Sequence, residues 1–165
     1  MITLHRILMA TDFSDYSKEA LEYAVHMARS FGADLYLLHV FEPPFFSPSG
    51  VSLSVRPEVH QWIKEIKEEE SKKLDILAEE VRHKGAKVHP IFKAGTPFLE
   101  ILKTAEEIPA DLIVLGTHGR TGLAHVLMGS VAERVVRKSA CPVFSVRPKA
   151  LVSKKEGKGG EGESR

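Results

Sequence analysis

The sequence predicts an α/β fold: a single-domain, doubly wound parallel sheet of five strands in the order 3-2-1-4-5. Two observations predict it. Continuously apolar runs, typical of strands covered on both faces of a sheet, alternate with segments of helical periodicity. A chain of 165 residues is also long enough to bury one sizeable core, which we assign to residues 1–148.

The first strand, the first helix and the second strand are predicted over residues 6–41. The run RILMAT (6–11) ends in polar residues, and Ser14 is predicted to cap a helix over 15–31. Gly32 follows where a C-cap glycine belongs. Residues 35–41 predict a buried strand in which His39 is a hydrogen-bonded core residue. The predicted apolar face of the helix comprises Ala20, Leu21, Ala24, Val25, Ala28 and Phe31.

A loop and a long helix are predicted next. Residues 42–56 carry three prolines and no helical period, so they predict a loop; its Phe45 and Phe46 either meet a partner or fold back, and we favour folding back. Pro57 suits the first turn of a helix to about Lys84. The apolar stripe of this helix lapses at 67–73, which we expect to be solvated. The stripe comprises Val59, Trp62, Ile63, Ile66, Leu74, Leu77, Ala78 and Val81.

The alternation continues in the second half of the chain. A third strand is predicted over 87–92 and a fourth over 111–115. Between them, Thr96 and Pro97 are predicted to be N-cap and first residue of a helix through Glu107. Ser130 and Glu133 form the S-x-x-E pattern of a capping box for the last helix.

The C-terminal part is predicted to hold an edge strand and a disordered tail. Residues 141–146 predict the fifth strand, in which Pro142 removes a ladder donor and Cys141 is a small buried hydrophobe. Pairing across a two-fold axis would cover this apolar edge, so we expect a homodimer through 142–146. Residues 149–165 are rich in Gly, Lys and Glu and are predicted to be disordered.

Composition argues against several classes of function. The formal net charge of +1 gives no reason to expect nucleic acid or a membrane as partner. The single cysteine rules out an intrachain disulfide framework and a Cys-rich metal site. No apolar run approaches the roughly 20 residues that span a bilayer, and the N-terminus lacks the pattern of a signal peptide. We therefore expect a cytoplasmic protein.

The most informative motif is a spaced glycine pattern in DLIVLGTHGRTGLAHVLMGS (111–130). Gly116 and Gly119 follow an apolar strand, and Gly129 with Ser130 precedes a helix. Backbone N–H groups of such a turn and of a helix N-terminus attract anions, and the helix dipole favours phosphate there. Glycine permits the close approach because it lacks Cβ and tolerates positive φ.

The predicted topology leads to the same place. The first and fourth strands are neighbours where the winding reverses, and ligands bind beyond the carboxyl ends of the strands at that point. The first strand ends at Thr11 and Asp12; the Asp12 carboxylate either accepts a hydrogen bond from an exocyclic amine or only caps the helix. His118 and Arg120 in the glycine loop are either phosphate contacts or solvent-exposed charges.

The sequence with this glycine motif resembles the nucleotide-binding kind of universal stress protein. The signature of that family, Gly-x2-Gly-x9-Gly-Ser/Thr, is met by Gly116, Gly119, Gly129 and Ser130. The resemblance covers residue 1 to about 147 and includes the segments ILMATDFS and LLHV. It implies an adenine nucleotide alpha hydrolase-like, Rossmann-like fold, and a homodimeric ATP-binding module of stress signalling or protection with an unknown protein partner.

The resemblance also implies residue roles. Asp12 and the backbone of Val40 would hold adenine, and the signature residues would hold ribose and phosphates, with Mg²⁺ or Mn²⁺ helping to neutralise the triphosphate. Ala10, where some members carry proline, and Ala132, which lacks a hydroxyl, depart from the family's pattern. The predicted nucleotide-binding residues are Ala10, Thr11, Asp12, Val40, Gly116, Thr117, His118, Gly119, Arg120, Gly129, Ser130 and Val131.

Two other functions remain open: an interaction module of the same fold that binds no nucleotide, and a slow ATPase. The glycine signature argues against the first. Against the second, the sequence contains no nucleophile motif and no general base placed by a motif, so we expect a protein that is not an enzyme. The histidines form no metal motif. No Gly-Lys-Ser/Thr follows the glycine loop, which argues against a P-loop NTPase. In that loop Gly116, Gly119 and Gly122 are each three apart, so it does not read G-x-G-x-x-G, which argues against a dinucleotide dehydrogenase.

Overall fold

A computed structural model describes residues 2–43, 57–119 and 128–147. The predicted contacts of Phe45, Phe46 and Arg120 and the predicted disorder of the tail 149–165 lie outside these residues. The elements alternate strictly between strand and helix. They are β1 (Arg6–Thr11), α1 (Asp15–Phe31), β2 (Asp34–Phe41), α2 (Pro57–His83), β3 (Val88–Ala94), α3 (Pro97–Glu107), β4 (Leu112–Gly116), α4 (Ser130–Lys138) and β5 (Val143–Val146).

The described strands form one parallel sheet in the order β3-β2-β1-β4-β5, so the predicted fold class is confirmed. Strand β1 pairs with β2 on one side and with β4 on the other, and Ile7 lies opposite both Leu35 and Leu112. The winding reverses between β1 and β4. The carboxyl ends of these two strands are therefore where a ligand crevice is expected.

Each face of the sheet carries its own apolar core. On one face, Ile7 and Met9 of β1 pack with α1 and the second half of α2. On the other face, Leu8 packs with α3 and α4. Successive side chains of a strand point to opposite faces, so a strand covered on both sides is apolar at every position. This explains why the strand runs do not alternate with polar residues.

Helix α1 has the predicted bounds. The Ser14 hydroxyl accepts the N–H of Ser17 as the N-cap, and Gly32 ends the helix in the left-handed region at φ 66°. The expectation for Phe31 is wrong, since its side chain is 51% exposed. Phe31 lies in the last turn, past the residues that face the sheet, so its place on the apolar stripe does not bury it.

The two halves of helix α2 differ. From Leu74 onward the stripe packs on the sheet, whereas Trp62 is 46% exposed and none of the side chains described over 58–69 is buried. The prediction that 67–73 is solvated is wrong at Glu70, whose side chain is buried. Glu70 contacts His39 near the carboxyl end of β2, and the buried part of the helix begins there.

Helix α4 begins one residue earlier than the capping box predicts. Gly129 is its N-cap, no side chain caps it, and Ser130 is its first residue. The Gly129 N–H donates to the Thr117 carbonyl at 2.6 Å, which holds Gly129 in extended backbone and moves the cap to it.

At the C-terminal edge, strand β5 pairs only with β4 in the described sheet, as Pro142 indicates for an edge strand. Cys141 precedes β5 and is half-buried. The expectation of a buried cysteine within the strand is therefore wrong. Its position before β5, where the chain enters the edge of the sheet, leaves it only partly covered.

Candidate functional site

A cavity of about 540 Å³ lies at the carboxyl ends of β1, β2 and β4, with α2 on one side and α3 and α4 on the other. This volume falls within the range of roughly 300–1,000 Å³ that is usual for small-molecule sites. Every predicted site residue that the structure describes lines the cavity: Ala10, Thr11, Asp12, Val40, Gly116, Thr117, His118, Gly119, Gly129, Ser130 and Val131. Its wall also includes Trp62, Ile66 and Glu70 of α2 and Pro97 and Ile101 of α3.

Side-chain hydrogen bonds hold the turn after β1. The Asp12 Oδ1 atom accepts the Ser14 N–H at 3.0 Å and the Ser14 hydroxyl at 2.5 Å. The Thr11 hydroxyl oxygen accepts the N–H of Phe13 and lies 3.1 Å from the Ser17 hydroxyl. Ser14 is the N-cap of α1, so the alternative in which Asp12 caps this helix is wrong. The two hydrogen bonds from Ser14 orient the Asp12 carboxylate at the cavity wall.

The turn after β4 is shaped by the absence of side chains. A Cβ atom at Gly116 would lie 3.2 Å from the Tyr16 carbonyl, and one at Gly129 would lie 3.2 Å from the Thr117 carbonyl. Gly116, Gly119 and Gly129 do not have positive φ, so the expectation that they serve a left-handed backbone is wrong. At Gly116 and Gly129 it is the close approach of backbone to backbone that favours glycine.

The two turns meet at Gly119. A Cβ atom there would lie 2.8 Å from Oδ2 of Asp12, closer than real Cβ atoms come to such an atom. Since the other carboxylate oxygen is held by Ser14, the carboxylate cannot swing away without losing those hydrogen bonds. The second glycine of the signature therefore makes room for Asp12.

The first turn of α4 forms part of the cavity wall through Ser130, Val131 and Ala132. The first N–H groups of a helix have no partner within the helix, and Gly129 offers no side chain to cap them. The positive end of the α4 dipole also lies here. This end of the cavity is suited to an anion.

His118 is buried rather than solvent-exposed, and its Nδ1 atom lies 2.9 Å from the Thr117 hydroxyl. The expectation of a loop charge in solvent is therefore wrong for His118. Arg120, its predicted companion, lies outside the described residues. The described lining contains the carboxylates of Asp12, Glu42 and Glu70 and no Lys or Arg side chain. A highly charged anion would thus require backbone N–H groups and a cation.

His39 is the hydrogen-bonded core residue that the sequence predicts. Its Nδ1 atom lies 2.8 Å from the Thr11 carbonyl oxygen and its Nε2 atom 2.9 Å from Oε2 of Glu70. Sequence reasoning missed Glu70. The signal was its spacing, because residue 70 continues the buried series of Leu74 and Ala78 toward the start of the helix.

Neither a metal centre nor a bilayer span is found in the described part of the chain. No group of three or more His, Cys, Asp or Glu side chains there could hold a metal ion. Among the same residues, no helix combines the length and apolar character that crossing a bilayer requires.

The fold and the cavity define a Rossmann-like α/β protein with a candidate nucleotide site at its topological switch point. The model of the universal stress protein family matches residues 3–147, and the chain belongs to this family. The resemblance seen in the sequence is therefore confirmed.

Relatives share most of their length with this chain. Universal stress protein MJ0531 of Methanocaldococcus jannaschii is 41% identical over 86% of this chain and 81% of its own length. Universal stress protein YxiE of Bacillus subtilis is 36% identical over 87% and 99%. A third relative, universal stress protein MJ0577, is also from Methanocaldococcus jannaschii. The solved structure of MJ0577 matches with a TM-score of 0.77 and 32% identity, over 90% of this chain and 99% of that chain.

Among the solved relatives, the following is described with a nucleotide. The universal stress protein of Archaeoglobus fulgidus, in complex with dAMP, matches with a TM-score of 0.59 and 25% identity. The match covers 88% of this chain and 98% of that chain.

Proposed function

We propose that this chain binds ATP in the cavity at the carboxyl ends of β1 and β4 and acts as a nucleotide-dependent module of the cytoplasmic stress response. The observation that carries the proposal is the convergence of Asp12, Val40 and the whole glycine signature on one cavity of about 540 Å³. Family membership and the dAMP complex of a relative support an adenine nucleotide as the ligand.

At the base end, the Asp12 carboxylate would accept a hydrogen bond from the exocyclic amine of adenine. Ser14 donates two hydrogen bonds to one oxygen of this carboxylate and so sets the direction in which the group accepts. The half-buried Val40 at the end of β2 offers backbone groups and apolar contact. Ala10 and Thr11 complete this side of the pocket.

At the phosphate end, the backbone of Gly116, Thr117, His118 and Gly119 and the first turn of α4 at Gly129, Ser130 and Val131 would surround the phosphates. We propose that Arg120 also contacts the phosphates. The described lining of the cavity contains carboxylates but no Lys or Arg side chain. We therefore expect Mg²⁺ or Mn²⁺ to accompany ATP, with the ion bound chiefly by phosphate oxygens. We propose binding rather than turnover as the function.

We further propose a homodimer through 142–146. Strand β5 is an edge strand in the described sheet, and Phe144 on it is 36% exposed beside the exposed Tyr23 of α1. Pairing of two such edges would cover both apolar side chains.

Isothermal titration of the purified protein with ATP, with and without Mg²⁺, tests the proposal, with AMP for comparison. We expect saturable binding that prefers ATP with Mg²⁺. A lack of both heat and thermal stabilisation with every adenine nucleotide would refute it.

A second candidate is an interaction module of the same fold that binds no nucleotide. The packing contacts of the glycines favour it, since a Cβ atom at each signature glycine would crowd a neighbouring backbone or Asp12 even without a nucleotide. The same titration separates the two candidates. A separate assay detects a slow ATPase. It measures the release of phosphate from ATP with Mg²⁺ and compares the wild type with Gly129→Val.

A further inference from the structure

A buried histidine–carboxylate pair connects helix α2 to the loop that carries Asp12. His39 is 2% exposed and Glu70 is 8% exposed, and both line the cavity. One edge of the imidazole contacts the carbonyl of Thr11, the residue before Asp12, and the other contacts Glu70. A single side chain therefore joins two walls of the proposed nucleotide site.

The hydrogen bonds determine where protons lie in this pair. A carbonyl oxygen can only accept, so Nδ1 of His39 carries a hydrogen and donates it to Thr11. The 2.9 Å contact between Nε2 and Glu70 then needs one more proton, which either group can hold. The pair is neutral as a whole, so it buries no net charge. A glutamine at position 70 could still donate its amide N–H to a neutral imidazole.

Aromatic rings hold the imidazole in place. The ring of Phe13 lies 4.2 Å from that of His39, and the ring of Phe92 lies 5.7 Å from it. Phe13 has φ 63°, a conformation that costs free energy for any residue with a Cβ and persists where its surroundings compensate. Contact with His39 and the hydrogen bond of its N–H to Thr11 compensate it here. His39 thus supports the backbone turn from which Asp12 projects.

On α2, Glu70 is the first buried side chain of the described residues, counted from the start of the helix. Ile66 and Trp62, one and two turns earlier, line the cavity without being buried. The hydrogen bond between Glu70 and His39 lies at the boundary between the exposed and the buried parts of the helix. It therefore ties the α2 wall of the cavity to the strand that carries His39.

We propose that His39 and Glu70 are positioning residues that set the affinity and the base selectivity of the nucleotide site. They act through the Thr11 carbonyl on the Asp12 carboxylate, and through α2 on the wall formed by Trp62 and Ile66. The inference rests on the proposed binding of an adenine nucleotide.

The test compares ATP with inosine triphosphate, in which an oxygen replaces the exocyclic amine of the base. The variants are Glu70→Ala and Glu70→Gln, with Glu68→Ala on the exposed face of the same helix as the matched control. Trp62 is the only tryptophan of the chain, so its fluorescence and its quenching by acrylamide report on the α2 wall, with and without nucleotide.

We expect Glu70→Ala to weaken ATP binding about tenfold, which corresponds to losing one hydrogen bond between the Asp12 carboxylate and the base. Binding of inosine triphosphate should weaken less, so the preference for ATP falls. Quenching of Trp62 in the free protein should rise. Glu70→Gln should restore both properties to within about twofold, because it keeps the contact with His39. Glu68→Ala should match the wild type.

Several outcomes would overturn the inference. If Glu70→Ala weakens both nucleotides by the same factor, or leaves both unchanged while the wild type binds ATP, the pair has no positioning role and the proposed function stands. If the wild type binds neither nucleotide, the proposed function fails and this inference fails with it. If Glu70→Ala does not fold, Glu70→Asp, which shortens the reach by one methylene, provides the same comparison.

Discussion

The two strand-to-helix turns that face the cavity are built in opposite ways. After β1, hydroxyl and carboxylate groups of Thr11, Asp12, Ser14 and Ser17 bond to one another and to the backbone. After β4, the chain approaches its neighbours so closely at Gly116 and Gly129 that a Cβ atom would crowd a carbonyl oxygen.

The difference indicates two kinds of recognition. A side chain fixed by hydrogen bonds offers one oriented acceptor, which suits discrimination among bases. Backbone N–H groups, such as those of the first turn of α4 at the cavity wall, have a fixed direction but carry no side-chain identity, which suits phosphate, common to all nucleotides. The two turns are in contact where Asp12 meets Gly119. A substitution in one turn should therefore change the contribution of the other turn to nucleotide binding.

Gly129→Val should have the largest effect. The added side chain would meet the Thr117 carbonyl and displace the start of α4 from the glycine turn. We expect ATP binding to weaken by about 100-fold or more, because the phosphate contacts are lost together. Titration measures the loss, and circular dichroism must show a folded domain. A folded variant that binds ATP as the wild type does would contradict the proposed phosphate site.

Asp12→Asn should have the next largest effect. It should change the preference between bases and so distinguish the role of the turn after β1 from that of the turn after β4. The amide oxygen can still accept from Ser14, but the NH₂ group that replaces Oδ2 donates and cannot accept from the adenine amine. We expect about tenfold weaker binding of ATP and a shift in preference toward inosine triphosphate. Competition titrations measure the ratio. Equal weakening of both nucleotides would argue that Asp12 does not contact the base.

Gly119→Ala tests whether the turns are coupled. Its methyl group would press on Oδ2 of Asp12, so binding should weaken in the wild type and weaken less in an Asp12→Ala background. The double-mutant cycle should give a coupling free energy on the order of 1 kcal/mol. Additive effects would show that the turns act independently.

Ser14→Ala should lower the free energy of unfolding by about 1 kcal/mol, because α1 loses its N-cap. It should also loosen the Asp12 carboxylate and weaken ATP binding severalfold. Chemical denaturation and titration give the two values. Ser30→Ala, at an exposed position in the same helix, is the matched control and should change neither.

The smallest effect is expected at the opposite end of the sheet. The Asp111 carboxylate accepts the N–H groups of His5 and Arg6 at 2.8 Å each, and these bonds lower its pKa. A lowered pKa stabilises the fold above the ordinary value of 3.8, and this contribution is lost as pH falls through the folded-state pKa. Asp111→Asn should therefore reduce stability by some tenths of a kcal/mol at pH 7 and less near pH 3.

Denaturation at the two pH values measures this change, with Asp75→Asn on an exposed face of α2 as control. ATP binding should not change in either variant. Weaker binding in Asp111→Asn would show that the two ends of the sheet are not energetically separate.

Much of the fold follows from local patterns. Ser14 and Gly32 limit α1 correctly because capping depends on neighbouring residues. The apolar strand runs predict a covered parallel sheet because burial on both faces requires apolar residues at every position. The shift of the α4 cap to Gly129 could not be predicted, since it depends on a hydrogen bond to Thr117, which the chain brings near only after folding.

Sequence patterns alone predict the order of elements, the family and the predicted site residues at the strand ends, because the motifs lie at strand ends and the topology gathers strand ends at one edge. The folded structure was needed to show that Glu70 is buried against His39, that Trp62 lies at the cavity wall, and that Gly119 makes room for Asp12. These contacts join residues far apart in the chain. Such pairings depend on where packed elements stop relative to the edge of the sheet, which local periodicity does not encode.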